Sequence, residues 1–288
     1  MKAFLFPGQG SQFVGMGKDL FESKKKAKSL FNIANEILGF KITDIMFNGS
    51  AEDLKQTNIT QPSIFLHSVI LFKTSEINHV SAVAGHSLGE FSALTAIGCL
   101  SFEDGLKLVI KRASAMQKAC ESSKSTMAAV LGMSDELVEK ICKNYEDVVP
   151  ANYNSPGQLV ISGSNSGINK ISSELSNKGG KVILLPVGGG FHSPYMEPAK
   201  KELGDAINNT KFSKPVCSIY QNYDANSELS VEKIKEKLIL QLTSPVKWTQ
   251  TIEKMISDGI SEFYECGPGR VLQGLVKKIS REVDTSSI

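Results

Sequence analysis

The sequence predicts an α/β protein in which helices cover a mainly parallel sheet and a small ferredoxin-like domain is inserted into the larger one. Short apolar runs alternate with longer helical patterns along most of the 288 residues, which is typical of a helix-covered parallel sheet. A Gly-x-Ser-x-Gly motif at residues 85–89 stands between a strand pattern and a helix pattern. Between residues 126 and 189 the order of elements changes to βαββαβ, the ferredoxin-like arrangement.

The composition is that of an ordinary soluble globular protein, with 41% hydrophobic and 22% charged residues. A formal net charge of +2 gives no bulk electrostatic reason to expect nucleic acid or a membrane surface as a partner. Five widely spaced cysteines without a Cys-x-x-Cys pair predict free thiols in a reducing compartment. The N-terminal apolar run is too short for a signal sequence, and no run reaches the roughly 18 residues of a membrane span. We therefore expect a cytoplasmic protein, and we assign no metal ligands.

The chain begins with a predicted buried strand over residues 3–6, which is ended by Pro7-Gly8 and followed by a flexible loop. The loop is not a dinucleotide-binding fingerprint, because Phe13 stands where the third glycine belongs. A lysine-rich stretch at residues 24–28 indicates a solvated helix face or a docking patch for an acidic partner. Residues 61–73 are strongly apolar and predict a buried helix.

The Gly-x-Ser-x-Gly motif predicts a nucleophilic serine, Ser87, on a sharp turn between a strand over 80–84 and a helix over 90–97. The two glycines let the strand and the helix approach closely, and the helix N-terminus presents N–H donors to developing negative charge. The N–H of Leu88 is the natural first oxyanion donor, and the loop at Gln9 can supply the second. The alternative is an ordinary glycine-rich turn whose serine only caps the helix.

A capping signal at residues 101–104 begins the next helix, which extends to about residue 120. Leu108, Arg112 and Met116 are four residues apart and share one helix face, so an arginine lies between apolar neighbours. Burying a charge without an anionic partner is costly. From the spacing alone, Arg112 is therefore expected to extend to water or to pair with an acidic neighbour.

The inserted domain is predicted over residues 126–189, and the large domain over residues 1–125 and 190–288. The elements of the insertion are a strand over 127–131, a helix over 135–144, strands over 148–152 and 158–162 joined by a turn at 153–157, a helix over 168–178 and a strand over 181–187. The chain then returns to the large domain with helices over 197–207 and 231–241, strands over 216–220 and 262–265, and a last helix that ends near residue 283.

His192 is the strongest candidate for the base that a serine nucleophile needs. It follows a predicted strand, where open parallel sheets place their sites. The sequence favours a hydrogen-bonded core position for His67, a supporting role beside the motif for His86, and a place at the start of a strand for His79. The alternative for His192 is a hydrogen-bonded histidine at a domain junction.

The acidic residues between the serine and this histidine favour a catalytic dyad over a triad. The candidates Asp135, Asp147 and Glu174 all lie in the predicted insertion, and none stands at the end of a main-sheet strand. A neutral group, such as a backbone carbonyl, would then orient the histidine.

Six motifs occur in one order along the chain and together are typical of one family. They are Phe-Pro-Gly-Gln-Gly-Ser-Gln at 6–12, Gly-His-Ser-Leu-Gly-Glu at 85–90, Arg112 with Met116-Gln117, Asn-Tyr-Asn-Ser-Pro-Gly-Gln at 152–158, Gly-Phe-His-Ser-Pro at 190–194 and Glu-Cys-Gly-Pro-Gly at 265–269. Over nearly its whole length the sequence resembles the malonyl-CoA:acyl carrier protein transacylases, the stand-alone acyltransferases of type II fatty acid synthesis.

This resemblance implies a hydrolase-like main sheet and the transfer of a malonyl group from malonyl-CoA to the phosphopantetheine thiol of acyl carrier protein. The reaction would pass through a malonyl-serine and follow ping-pong kinetics. We expect no cofactor and a monomer whose partners are malonyl-CoA and the carrier protein. The alternatives are a thioesterase or carboxylesterase with the same serine motif, and a non-catalytic carrier-binding protein that has kept the fold.

The resemblance also implies a role for each site residue. It gives Ser87 as the nucleophile, His192 as its base, the N–H groups of Gln9 and Leu88 as the oxyanion hole, Arg112 as the clamp on the malonyl carboxylate, the backbone carbonyl of Gln241 as the group that holds the histidine, and Asn152, Met116 and Phe191 as pocket residues. A guanidinium can bind a carboxylate through two parallel hydrogen bonds, so the substrate would supply the anionic partner of the arginine. Gly190 stands where the family's motif usually has alanine.

Overall fold

The computed structural model of the chain describes residues 1–77 and 79–288, which form two β-sheets and the helices packed against them. The strands are β1 (Lys2–Phe6), β2 (Ala82–Gly85), β3 (Ser125–Leu131), β4 (Val148–Ser155), β5 (Gln158–Ser164), β6 (Lys181–Leu184), β7 (Ser218–Tyr220), β8 (Ser227–Glu228), β9 (Glu262–Glu265) and β10 (Asp284–Ser287). The α-helices are α1 (Lys18–Ser23), α2 (Lys25–Leu38), α3 (Ile42–Asn48), α4 (Thr57–Thr74), α5 (Gly89–Ala96), α6 (Phe102–Ser122), α7 (Asp135–Cys142), α8 (Asn165–Asn177), α9 (Glu197–Asn209), α10 (Val231–Leu240), α11 (Trp248–Ser257) and α12 (Val271–Ile279). Among these described helices, none is both long and apolar enough to cross a membrane.

The larger sheet has the strand order β10-β9-β1-β2-β7-β8, and all of its neighbouring strands are parallel except the pair β7 and β8. In the central strand β1, successive side chains point to opposite faces. Phe4 and Phe6 pack into one hydrophobic core with α4, α5 and α6, whereas Ala3 and Leu5 pack into a second core with α11 and α12. The prediction of a mainly parallel sheet covered by helices is confirmed.

The smaller sheet is antiparallel, with the order β4-β5-β3-β6, and α7 and α8 pack on it around a separate hydrophobic core. This order of strands in a βαββαβ unit is the ferredoxin-like topology that the sequence predicts. The sheet begins at Ser125 and ends at Leu184, and the domain boundaries at residues 126 and 189 stay a prediction.

Hydrogen bonds join the small sheet to the large part of the chain along β4. The Val246 N–H donates to the carbonyl of Ala151 at 2.8 Å, and the Tyr153 N–H donates to the carbonyl of Val246 at 2.9 Å. The Thr249 hydroxyl donates to the carbonyl of Tyr153 at 3.1 Å. Because these bonds hold the backbone extended, β4 continues to Ser155 through residues that the sequence assigns to a turn.

Two short strands are missing from the sequence-based prediction because neither has an alternating apolar pattern. β10 has the sequence Asp-Thr-Ser-Ser and joins the sheet as an edge strand beside β9, and β8 comprises only Ser227 and Glu228. The last helix ends at Ile279 rather than near residue 283, since Ser280 is extended and leads toward β10.

The two glycines of the serine motif allow β2, α5 and β1 to approach closely. A Cβ atom on Gly89 would lie 2.0 Å from the carbonyl oxygen of Phe6, and one on Gly85 would lie 1.9 Å from the carbonyl carbon of Gly89. We expect Gly89→Ala to lower the free energy of unfolding by about 3 kcal/mol, since backbone must move to admit the methyl group.

Gly274→Ala is the matched control, because its Cβ would meet no atom within 4 Å and the residue lies inside α12. Alanine at this helical position is expected to stabilise the protein by up to about 1 kcal/mol. Denaturant unfolding compares the two variants, and a Gly89→Ala protein as stable as the unchanged one would contradict the close approach.

Candidate active site

Ser87 lies on the sharp turn between β2 and α5, at the carboxyl end of the main sheet. Its backbone is left-handed, with φ 54°, a conformation that is uncommon for residues other than glycine and suits a nucleophile on a strand-to-helix turn. The Ser87 N–H donates to Asn222 Oδ1 at 2.7 Å, and Gln241 Nε2 donates to the Ser87 carbonyl at 3.0 Å. Side chains from the last third of the chain thus hold both backbone groups of the strained residue.

The Ser87 hydroxyl is 2.7 Å from Nε2 of His192, and Nδ1 of His192 is 2.9 Å from the backbone carbonyl oxygen of Gln241. Because a carbonyl only accepts, Nδ1 carries the hydrogen and Nε2 can accept the serine proton. Burial, and after it the charge of Arg112, lowers the pKa of His192 to about 3, so the imidazole is neutral near pH 7. In the part of the chain that the structure describes, no carboxylate is hydrogen-bonded to this histidine.

Arg112 is fully buried on α6, with its guanidinium against the serine. Its Nη1 donates to Gln61 Oε1 at 2.8 Å, and its Nη2 donates to the Ser87 hydroxyl at 2.9 Å and to Gln241 Oε1 at 3.4 Å. Burial lowers the pKa of Arg112 to about 10, which leaves the group charged at neutral pH. It neither extends to water nor forms a salt bridge with any described carboxylate, so neither placement inferred from its spacing is found. A buried cation whose hydrogen-bond partners are all neutral favours binding of an anion.

The two expected oxyanion donors lie on the loop after β1 and at the start of α5. Within the described residues, neither the Gln9 nor the Leu88 N–H has a hydrogen-bond acceptor. The Gln9 side chain is anchored, since its Oε1 accepts from Gln61 Nε2 at 3.2 Å, and the residue lines the same cavity as Ser87. Two N–H donors without partners can stabilise negative charge that forms on a substrate carbonyl oxygen.

A cavity of about 150 Å³ lies beside the serine and the histidine, and it is lined by residues of the small sheet and of the segments that follow β1, β2 and β6. Its wall includes Asn152 of β4 and Phe191, the residue before the histidine. Met116 is not among the residues that line this cavity in the described part of the chain; its Sδ is 3.5 Å from Gln61 Nε2, one layer further from the serine. The site residues taken from the resemblance therefore meet at one place, with Met116 behind the others.

Comparison with known proteins places this chain in a family. A family model for the acyl transferase domain matches residues 3–287. The chain is 42% identical over 295 residues to a malonyl CoA-acyl carrier protein transacylase of Bacillus subtilis (strain 168), in a match that covers 99% of this chain and 92% of that protein. The chain belongs to the malonyl CoA-acyl carrier protein transacylase family.

Solved structures of related transacylases have the same fold. An acyl carrier protein S-malonyltransferase from Vibrio cholerae has a TM-score of 0.96 and 37% identity, with 100% of this chain and 96% of that chain covered. A malonyl-transacylase in complex with its type II PKS acyl-carrier protein also has a TM-score of 0.96, at 33% identity, with 100% of this chain and 95% of that chain covered. The family membership predicted from the six motifs is confirmed, and so is the fold class predicted from the order of strand and helix patterns.

Three buried polar residues of this transacylase site were not identified from the sequence. Gln61 on α4, Glu90 on α5 and Asn222 after β7 are all fully buried. A polar residue in so apolar a helix as α4 was an available signal for Gln61, because burying an amide is costly without partners. Glu90 belongs to the serine motif, yet its contact is with the loop after β7, which no local pattern predicts. Asn222 has no sequence signal at all.

The remaining histidines of the transacylase lie outside the hydrogen-bonded pair. His86 Nε2 is 2.8 Å from Asn154 Oδ1, which links the serine motif to β4, and the exposed His79 is 3.2 Å from the Ser81 hydroxyl. Among the described residues, His67 Nδ1 is buried without a partner, so the prediction of a hydrogen-bonded core histidine is wrong. Burial lowers the pKa of His67 to about 4, and the ring is accommodated because it stays neutral.

Proposed function

We propose that this chain transfers the malonyl group of malonyl-CoA to the phosphopantetheine thiol of acyl carrier protein through a malonyl-serine intermediate. The observation that carries the proposal is the position of the Ser87 hydroxyl, 2.7 Å from His192 Nε2 and 2.9 Å from the Arg112 guanidinium. A nucleophile with its base on one side and a buried cation on the other suits an acyl group that ends in a carboxylate. The names of its relatives support the same reaction.

In the first half-reaction, His192 Nε2 takes the hydroxyl proton while Ser87 Oγ attacks the thioester carbonyl carbon of malonyl-CoA. The negative charge moves to the carbonyl oxygen, where the N–H groups of Leu88 and Gln9 would stabilise it. The tetrahedral adduct collapses, the carbon–sulfur bond breaks, and the CoA sulfur leaves with the proton from His192. The carbonyl of Gln241 keeps the imidazole oriented and offsets part of its transient positive charge.

Arg112 would bind the free carboxylate of the malonyl group. Gln61 holds Nη1 at 2.8 Å and so fixes the plane of the guanidinium. The arriving carboxylate would replace the weaker contacts of Nη2 to the serine and to Gln241. Burial is the larger cause of the low pKa of His192 and persists when substrate is bound. The carboxylate would offset only the smaller effect, that of the Arg112 charge, so the pKa of the base would rise in part.

In the second half-reaction, the carrier thiol attacks the malonyl-serine by the same route in reverse, which gives ping-pong kinetics. A groove of about 290 Å³ shares Gln9 and Phe191 with the serine cavity and offers a path for a phosphopantetheine arm. The serine cavity itself, about 150 Å³, is narrow enough to hold an acyl group and little water. We assign Asn152 and Phe191 to its acyl-facing wall, and Met116 to the support of Gln61.

Several broader features belong to the same proposal. The inserted domain over 126–189 closes one side of the site, and the large domain over 1–125 and 190–288 carries the reacting groups. All of these groups come from one chain and consist of side chains and N–H donors, so we assign a monomer that needs no cofactor of its own. A cytoplasmic location fits its two soluble substrates, malonyl-CoA and the carrier protein.

Mass spectrometry of the intact protein tests the proposed function directly. Malonyl-CoA alone should give one malonyl adduct, mapped to Ser87, with a stoichiometric burst of free CoA thiol and little release afterwards. Continuous release should require acyl carrier protein that bears phosphopantetheine, and the unmodified carrier is the control. Fast release of thiol without the carrier would indicate a hydrolase, and a folded protein without an adduct would indicate a non-catalytic relative.

A further inference from the structure

A buried carboxylic acid behind the serine has no part in the steps above. Glu90 lies on the first turn of α5 and is fully buried. Its Oε1 accepts from the backbone N–H of Asn222 at 2.5 Å, and its Oε2 accepts from Gln221 Nε2 at 3.3 Å. An acid at this depth costs free energy unless its hydrogen bonds compensate. The hydrogen bond from Asn222 indicates that Glu90 has a role at the active site.

The Asn222 side chain makes two hydrogen bonds to the backbone of the serine turn, one at the nucleophile and one two residues before it. Its Oδ1 accepts from the Ser87 N–H at 2.7 Å, and its Nδ2 donates to the carbonyl of Gly85 at 2.7 Å. Its backbone is fixed in turn by Glu90, three residues beyond the serine. The acid, the asparagine and the turn therefore form a closed set of hydrogen bonds around a residue whose φ is 54°.

We propose that Glu90 and Asn222 are a positioning pair, in which Glu90 fixes the backbone of residue 222 and the Asn222 side chain holds Ser87 in line with His192 and the oxyanion donors. The pair rests on the proposed function, because it acts only through that serine. Neither residue is among those that line the serine cavity in the described part of the chain. Without the pair the left-handed serine would relax toward a commoner conformation, and small displacements of a nucleophile are costly to the rate.

The protonation state of Glu90 supplies a readout that a purely structural role would not give. Burial raises the pKa of Glu90 to about 7, in opposition to its hydrogen bonds and to the charge of Arg112. The charged group that acts on Glu90 is Arg112 on α6. The other side chains that oppose the rise in the pKa of Glu90 are the neutral amides of Gln221 and Gln241. The ionised carboxylate accepts both bonds, whereas protonation turns one oxygen into a donor and weakens the hold on Asn222. The acylation rate should therefore fall as the pH falls through about 7, while His192 stays neutral over that range.

Single-turnover acylation by malonyl-CoA, followed from about pH 5.5 to 8.5, tests the pair. Glu90→Gln is expected to acylate at a constant rate over this range, about tenfold below the unchanged protein at high pH. Asn222→Ala should lose about 10- to 100-fold in the acylation rate, with little change in the concentration of malonyl-CoA for half-saturation. Gln221→Met removes the other hydrogen bond to Glu90, but not the link to the serine, and should change the rate less than threefold.

Two results would overturn the pair. One is an acid limb near pH 7 that persists in Glu90→Gln, since the titrating group would then be another one. The other is an Asn222→Ala protein that loses no more activity than Gln221→Met at equal thermal stability. If Asn222→Ala fails to fold, the pH profile of Glu90→Gln still decides. A lack of malonyl-serine in the unchanged protein is a separate result, because it contradicts the proposed function itself.

Discussion

Replacing Ser87 with alanine is expected to lower the turnover number for malonyl transfer on the order of 10⁶-fold and to leave no malonyl adduct on the protein. The serine oxygen is bonded at once to His192 and to Arg112, so its removal leaves the base without a proton to accept. Without the covalent intermediate, malonyl-CoA and the carrier thiol would have to meet in a single cavity of about 150 Å³. Steady-state transfer assays and intact mass measure the two losses.

The control for this variant is Ser92→Ala, on helix α5, which begins two residues after Ser87. Ser92 is fully buried and its hydroxyl has no hydrogen-bond partner among the described residues, so its loss should leave the transfer rate nearly unchanged. The double variant Ser87→Ala/His192→Ala should be no slower than Ser87→Ala, because residues that act as a unit are not additive. An adduct that survives in Ser87→Ala would place the nucleophile elsewhere.

Arg112→Ala should reverse the preference of the enzyme for its acyl group. Loss of the partner of a buried carboxylate costs about 2–5 kcal/mol, so kcat/KM for malonyl-CoA should fall about 30- to 5,000-fold. Acetyl-CoA has no carboxylate to lose a partner, and the volume vacated beside Gln61 would accommodate neutral acyl chains, so its transfer should rise. Competition between the two thioesters, with the products separated by mass, measures the ratio.

Arg112→Lys separates charge from geometry. A lysine keeps the positive charge but cannot form the two parallel bonds of a guanidinium, so its malonyl selectivity should lie between that of the unchanged protein and that of Arg112→Ala. Retained malonyl selectivity in a folded Arg112→Ala protein would remove Arg112 from carboxylate binding. Thermal unfolding of both variants is needed, because the buried guanidinium also bonds Gln61 and Gln241.

Local patterns were sufficient for most of the fold. The buried strand β1, the serine motif between β2 and α5, and the βαββαβ order of the insertion are each recognisable from consecutive residues. β10 was missed because Asp-Thr-Ser-Ser gains its structure only from backbone pairing with β9. The extent of β4 was missed because it depends on bonds to Val246, nearly a hundred residues away along the chain.

The prediction of the site was also incomplete where the role of a residue depends on contacts with distant parts of the chain. Ser87 and His192 stand in motifs whose residue types indicate a nucleophile and a base. The absence of a carboxylate at the end of a predicted main-sheet strand already favoured a neutral partner for the histidine. The full burial of Arg112 was not predicted from spacing, since it depends on Gln61 and Gln241 from other helices. Glu90 and Asn222 gain meaning only when α5 and the loop after β7 are brought together.

The serine turn depends on contacts that form late in the synthesis of the chain. Its left-handed residue is held by Asn222 and Gln241, and β1 acquires its second neighbour only when β9 has been made. During synthesis on a ribosome, an emerging chain therefore contains the complete serine motif long before the residues that stabilise its conformation have been made. Until β9 arrives, one edge of β1 has no partner and is open to wrong pairing with another chain. We therefore expect nascent chains to be inactive toward acyl-CoA, and to be prone to aggregation, until residue 265 is free to fold.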